Sequence, residues 1–234
     1  MKKITKISVI IPCFNEVKTI KEIVDRVSKF NLLEKEIIII DDGSYDGSRE
    51  IIKNEIENKV DKVIYHDQNK GKGSAIKNAL SFVTGNIVII QDADLEYNPE
   101  DYKNLIEPFI KNNADVVYGS RFIGGGGPIR ILLFWHSIAN KFLTFICNIF
   151  TNLNMTDMET GYKVFKTECI KLINLQEKSF GFEPEITIKL AKRKFRFFEV
   201  PISYSGRTHA EGKKITYKDA IISLYCIIKY SLLK

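Results

Sequence analysis

The stretch Glu36 to Ser44, EIIIIDDGS, decides how this chain folds. Side chains alternate sides along a strand, so four successive isoleucines, Ile37 to Ile40, put apolar surface on both faces at once. A strand of that kind belongs in a parallel sheet sandwiched between helices. Gly43 and Ser44 then end it, the glycine by permitting a tight turn and the serine by offering a cap to the next helix. Upstream, Lys6 to Ile11 reads as a short strand and Val17 to Phe30 as a helix. Downstream, Asp46 to Asn58, Val63 to His66, Gly73 to Val83, Asn86 to Ile90, Glu100 to Asn112 and Asp115 to Tyr118 continue as helix, strand, helix, strand, helix, strand. The alternation predicts an open, doubly wound, mostly parallel α/β sheet with helices on both faces.

At 234 residues the chain holds one such domain, and two independent domains would be cramped. Hydrophobic residues at 44% and charged residues at 27% exclude a disordered chain and a multi-span membrane protein. The net charge of +6 is uneven: Lys189 to Lys234 holds 11 Lys or Arg against 3 Asp or Glu, so this tail carries +8 and the remainder −2. Such a bias suits phosphate-bearing ligands or an anionic membrane leaflet. The four cysteines lack metal-type spacing and no secretory leader is evident, so a reducing, cytoplasmic setting is expected. A GxxxxGK[ST] loop is missing, as is GxGxxG after the first strand, which removes the main support for ATPase and dinucleotide-oxidoreductase readings. No nucleic-acid partner is expected, and a homo-oligomer is left open.

Ligands of doubly wound sheets sit beyond the carboxyl ends of the strands. Those ends are acidic here: Pro12-Cys13-Phe14-Asn15-Glu16, Asp41-Asp42-Gly43-Ser44, Gln91-Asp92-Ala93-Asp94 and Gly119-Ser120-Arg121. Asp42 can accept a hydrogen bond from a base N–H. Asp92 and Asp94, one residue apart after a buried strand, can converge on a divalent Mg²⁺ or Mn²⁺, whose hard character demands oxygen ligands. Bound there, the ion would stabilise charge on a departing diphosphate. Asn69-Lys70-Gly71-Lys72-Gly73 opens the third helix, where N–H groups and lysines could approach phosphate.

After Gly124 to Gly127 and Pro128, the segment Ile129 to Phe150 is dominated by large apolar side chains. Ser137, Asn140, Lys141, Thr144 and Asn148 form one narrow polar stripe along it. His136, Asn140 and Lys141 in mid-segment argue against crossing a membrane and for an amphipathic helix lying in an interface. Tyr217 to Leu233 repeats the theme.

These residues resemble the family 2 glycosyltransferases of the GT-A fold, and within them the polyprenyl-phosphate (dolichyl-phosphate mannose type) synthases. The likeness runs through IPCFNE (Ile11 to Glu16), IIDDGSYDGS (Ile39 to Ser48), GKGSA from Gly71, QDADLEY from Gln91 and YGSRF from Tyr118. It continues through TDMETGYKVFK (Thr156 to Lys166), GFEPEIT (Gly181 to Thr187) and VPISYSGRTHAEGKK (Val200 to Lys214). The resemblance implies that Pro12, Phe14, Glu16, Ile40 and Asp42 cradle base and ribose, and that Asp92, Ala93 and Asp94 meet the diphosphate and the metal. It further implies that Arg121, Arg207 and Lys213 hold donor or acceptor phosphates, Arg207 and Lys213 on a closing lid. Glu96, His209 and the Lys213-Lys214 pair depart from the mannose-type pattern.

The expected activity is inverting transfer of a hexose from a GDP- or UDP-sugar to a polyprenyl phosphate, by a protein peripheral on the inner face of the cell membrane. Residues 1–121 would form the nucleotide-sugar-binding part of one domain, and residues 122–234 the acceptor-binding part. Asp94, Arg121 and Arg207 would carry the chemistry, with Arg130 as a further cation. Two rivals are a transferase acting on a hydroxyl, with Asp157, Glu183 or Glu185 as base, and a nucleotide-binding scaffold without catalysis. Glu183 and Glu185 also fit the exposed face of an amphipathic helix.

Overall fold

Isoleucine and valine runs form strands β1 Lys6–Cys13, β2 Glu34–Asp41 and β4 Ile87–Ile90 because branched side chains pack well on a pleated surface buried on both sides. With β3 Lys62–Tyr65, β5 Val116–Ser120, β6 Lys163–Lys166 and β7 Phe197–Pro201 they make one 7-stranded sheet in the order β3-β2-β1-β4-β6-β5-β7. This computed structural model describes residues 4–125, 130, 133–208, 212 and 217–233. The pairs β1–β2, β2–β3, β1–β4 and β5–β7 are parallel, whereas β6 runs antiparallel to both neighbours, β4 and β5. The sheet is therefore mostly parallel, as expected. A four-residue run such as KVFK carries no signal of its own direction, which is set by how the chain returns to the sheet.

The period-two alternation appears in the core. Ile7, Val9, Ile11, Ile37 and Ile39 pack on one face with α1 (Ile20–Lys29) and α4 (Tyr102–Lys111). Ile10, Ile38 and Ile40 pack on the other with α3 (Lys72–Ala79), α7 (Phe182–Lys192) and α8 (Tyr217–Leu232). The helix expected over 46–58 is α2 (Ser48–Ile51) followed by a wide turn, Ile52–Ile56, and a tight one, Glu57–Lys59. A short α6 (Thr167–Ile170) follows β6.

Because β1 leads outward to β2 and β3 while β4 lies on its other side, the chain reverses direction across the sheet between β1 and β4. The loops after these two strands splay apart there and leave a crevice.

Helix α5 (Phe134–Thr151) is inverted relative to an ordinary surface helix. The C-terminal half of its polar stripe faces the protein: Thr144 is buried and accepts from the Met158 N–H, and Asn148 bonds both the N–H and the carbonyl of Met155, while Lys141 stays exposed. Its apolar side chains face outward, with Trp135 77% and Phe145 61% exposed. Helix α8 packs beside it and presents Ile221, Tyr225 and Leu232 in the same manner. Among the described residues no helix is long and apolar enough to cross a membrane.

Candidate active site

The crevice at the β1/β4 switch opens into a cavity of about 370 Å³, within the range of small-molecule sites. The strand-end residues Pro12, Phe14, Glu16, Asp42, Asp92, Ala93, Asp94 and Arg121 line it together with Arg207 from the distant segment after β7. Ile40 does not reach it: the side chain is wholly buried in the core layer under the crevice. Lys213 and His209 lie outside the described residues. Arg130 is described, and its guanidinium donates to the Gly206 carbonyl at 3.0 Å, holding the segment after β7 rather than lining the cavity.

Asp42 is set by its surroundings. The β2 exit requires Gly43 at φ +76, where an added Cβ would come within 2.5 Å of the Gln68 backbone. That turn brings the carboxylate against the loop before α3, so that Oδ1 accepts from the Lys70 N–H at 2.9 Å and Oδ2 from the Gly71 N–H at 2.8 Å. His66 Nδ1 lies 2.6 Å from Oδ1, and the pair is buried. The neighbouring Asp41 faces away and grips Arg49 at 2.5 Å.

Asp92 and Asp94 face the same cavity, each with its own cation. Lys72 Nζ is 2.8 Å from Asp92 and 3.2 Å from Glu183. Burial alone would lower the Lys72 ammonium, but these two carboxylates outweigh it and hold the group charged. The lysine that sequence reading aimed at phosphate is thus already paired with the acidic motif. Asp94 meets Arg207 at 2.7 Å, and the same guanidinium reaches Glu16 at 3.0 Å and Glu96 at 3.4 Å. Three carboxylates therefore share one arginine. Burial, then repulsion from Asp92 and Glu96, pushes the Asp94 carboxyl above its ordinary range. Glu96 also accepts from the Arg207 backbone N–H at 2.8 Å and from the Tyr204 hydroxyl at 2.7 Å, so it anchors the segment that carries Arg207.

Arg121 makes a two-pronged ion pair with Asp157, Nε and Nη2 each at 2.7 Å, and stacks its guanidinium 5.2 Å from the Tyr204 ring centre. Asp157 is completely buried, is held by Arg121 and does not line the cavity, which keeps it out of reach of a substrate hydroxyl. Glu183 and Glu185 are buried rather than exposed. Glu185 accepts from the Gln176 and Glu177 N–H groups at 2.7 and 2.8 Å, capping that loop, and Glu183 sits between Lys72 and Lys163. Asp157 and Glu185 are thus committed to internal partners away from the cavity, and Glu183, which lines it, is ion-paired to two lysines.

Sequence reading passed over His66, Lys72 as a carboxylate partner, and Glu159. Glu159 lines the cavity with one carboxylate oxygen buried and without a hydrogen-bond partner. Burial and the nearby Glu183 push its carboxyl up to about 7. Its only sequence signal is a second acidic residue in TDMETGYK, indistinguishable in one dimension from a solvated one.

The model of glycosyl transferase family 2 matches residues 8–173. A dolichol-phosphate mannosyltransferase of Pyrococcus furiosus is 30% identical over 89% of this chain, which spans 59% of that protein's length. A UDP-N-acetylglucosamine–dolichyl-phosphate N-acetylglucosaminyltransferase of Methanococcus voltae is 31% identical over 89% of this chain and 90% of its own length. In three dimensions the chain resembles glucosyl-3-phosphoglycerate synthase of Mycobacterium tuberculosis, solved with Mn²⁺ and UDP, at a TM-score of 0.76 over 97% of this chain and 80% of that one. At 18% identity that likeness shows the fold alone, the GT-A glycosyltransferase fold.

Proposed function

This chain belongs to glycosyl transferase family 2, and on that premise we propose that it moves a hexose, with inversion, from a GDP- or UDP-sugar to a polyprenyl phosphate at a membrane surface. The observation that carries the reading is the switch-point cavity, where the Asp92 and Asp94 carboxylates face cations supplied by α3 and by the lid segment. A phosphate acceptor is ionised at neutral pH and needs no base, which agrees with the engagement of Asp157, Glu183 and Glu185. The two relatives named for dolichyl-phosphate and dolichol-phosphate transfer support the same acceptor class.

The donor set suits a hard divalent cation. Glu16, Asp94 and Glu96 converge on one guanidinium, and Asp94 is held above its ordinary range by burial and then by neighbouring carboxylates that Arg207 only partly offsets. Asp92 and Asp94 would hold Mg²⁺ or Mn²⁺, which when bound would draw off charge from the departing nucleoside diphosphate. Among the described residues no three or more His, Cys, Asp or Glu side chains form a ready-made metal cluster, so donor phosphate oxygens would complete the shell. The chain's own groups orient: Phe14 and Asp42 hold the nucleoside, while Arg121 and Arg207 offset repulsion between donor and acceptor phosphates. The outward apolar faces of α5 and α8 would rest on the leaflet that carries the lipid, with exposed Lys141 and Lys218 beside them.

The test is a screen of purified protein against GDP-mannose, UDP-glucose and UDP-N-acetylglucosamine with short polyprenyl phosphates and Mg²⁺ or Mn²⁺. A glycosylated lipid phosphate is the expected product. Transfer to sugar or lipid hydroxyls with lipid phosphates inert would overturn the acceptor assignment, and no turnover of any donor would overturn the catalytic one.

A further inference from the structure

Asp42 has fewer open acceptor positions than a carboxylate ordinarily offers. An ionised carboxylate presents about four lone-pair positions, two on each oxygen. His66 Nδ1 at 2.6 Å and the Lys70 N–H at 2.9 Å occupy Oδ1, and the Gly71 N–H at 2.8 Å occupies half of Oδ2. His66 is a fixed donor to Asp42: the Asn78 amide nitrogen lies 2.7 Å from Nε2, so Nε2 accepts and the ring proton sits on Nδ1. The protein thus fills three of the four positions, and the carboxylate still lines the cavity.

Resting on the nucleotide-sugar reading above, we infer that Asp42 reads the donor base through the one acceptor position left on Oδ2, so that this chain selects a uridine over a guanosine diphosphate sugar. Uracil presents a single ring N–H, and one acceptor satisfies it. Guanine presents its ring N–H and an exocyclic N–H side by side, a pair that a carboxylate meets with both oxygens. With Oδ1 saturated, one of those donors loses its water and finds no partner, which costs binding. Cytosine turns an unprotonated nitrogen toward the carboxylate, lone pair against lone pair. The selectivity is therefore built by His66 and the 70–71 backbone through the positions they occupy on Asp42.

Titration calorimetry of the unaltered full chain with UDP, GDP and CDP in Mg²⁺ tests this without any substitution. UDP should bind roughly tenfold or more tightly than either competitor, the scale of one unpaired N–H in a desolvated site. GDP binding as tightly as UDP, or more tightly, overturns the inference while leaving the transferase reading intact. No binding by any of the three overturns that reading and this one with it. His66→Phe, which removes the ring donor at similar size, should free a position on Oδ1 and shrink the UDP-to-GDP ratio severalfold. If both nucleotides weaken equally, His66 only supports the fold and its role in selection is refuted.

Discussion

Replacing Glu159 with glutamine should stabilise the protein at alkaline pH and change little in acid. In the folded chain burial and Glu183 push the Glu159 carboxyl up to about 7, from 4.5 for an unhindered glutamate. The folded state therefore binds this proton more tightly than the unfolded chain does. Above pH 7 folding must bury the ionised form, a cost that disappears below pH 4.5, where both states are protonated. The difference of about 2.5 pH units, at 1.36 kcal/mol each, amounts to about 3 kcal/mol at pH 8.5 and under about 1 kcal/mol at pH 5. Glutamine keeps the shape and removes the charge, so E159Q should gain that amount. For a chain of this size it corresponds to a rise of roughly 6–12 °C in Tm. Scanning calorimetry at both pH values measures it. A variant no more stable than its parent at pH 8.5, or equally stabilised at both, would refute the view that a carboxylate with one buried oxygen left without a hydrogen bond sits at the cavity wall. A side chain retained at such a cost is what a ligand-facing role would demand.

Asp92→Ala and Asp94→Ala should each lower kcat for transfer by about 10²–10³, read from product formation at saturating metal, if the two side chains act on the departing diphosphate. Arg121→Ala strands the fully buried Asp157 without its partner and should cost about 3–5 kcal/mol in urea unfolding. Trp135→Glu combined with Phe145→Glu should abolish co-sedimentation with anionic vesicles while changing stability by less than about 1 kcal/mol, since both side chains project from the fold. Glu36 responds to pH in the opposite sense to Glu159: burial alone would raise its carboxyl, but hydrogen bonds from Ser8 and Thr84 bring it down to about 2. The stability it contributes should be complete above pH 4.5 and fade toward pH 2, and Glu36→Gln should erase that dependence in acid-unfolding curves.

Much of the fold was legible because burial leaves a one-dimensional trace. Ile37 to Ile40 alternate between two core layers as their run requires, and the acidic exits of β1, β2 and β4 meet at one cavity because a doubly wound sheet gathers those ends. The inward polar stripe of α5 was visible as a spacing, but its sense was not. A helix with one polar face and several apolar ones reads the same whether water or protein lies on the narrow side, and only Met155 and Met158 bonding to Asn148 and Thr144 decide it.

By itself the sequence determined where the first five strands lie, which carboxylates stand at their mouths and which family's motifs they spell, but not that β6 and β7 complete the sheet. Tertiary structure alone decided which charge neutralises which. Arg207 meets Glu16 across 191 positions of chain, Lys72 meets Glu183 across 111, and Asp157 is consumed by Arg121 instead of being left for a substrate. An ion pair in a dry cavity depends on distances of a few ångströms between elements far apart along the backbone, and no local spacing encodes those distances.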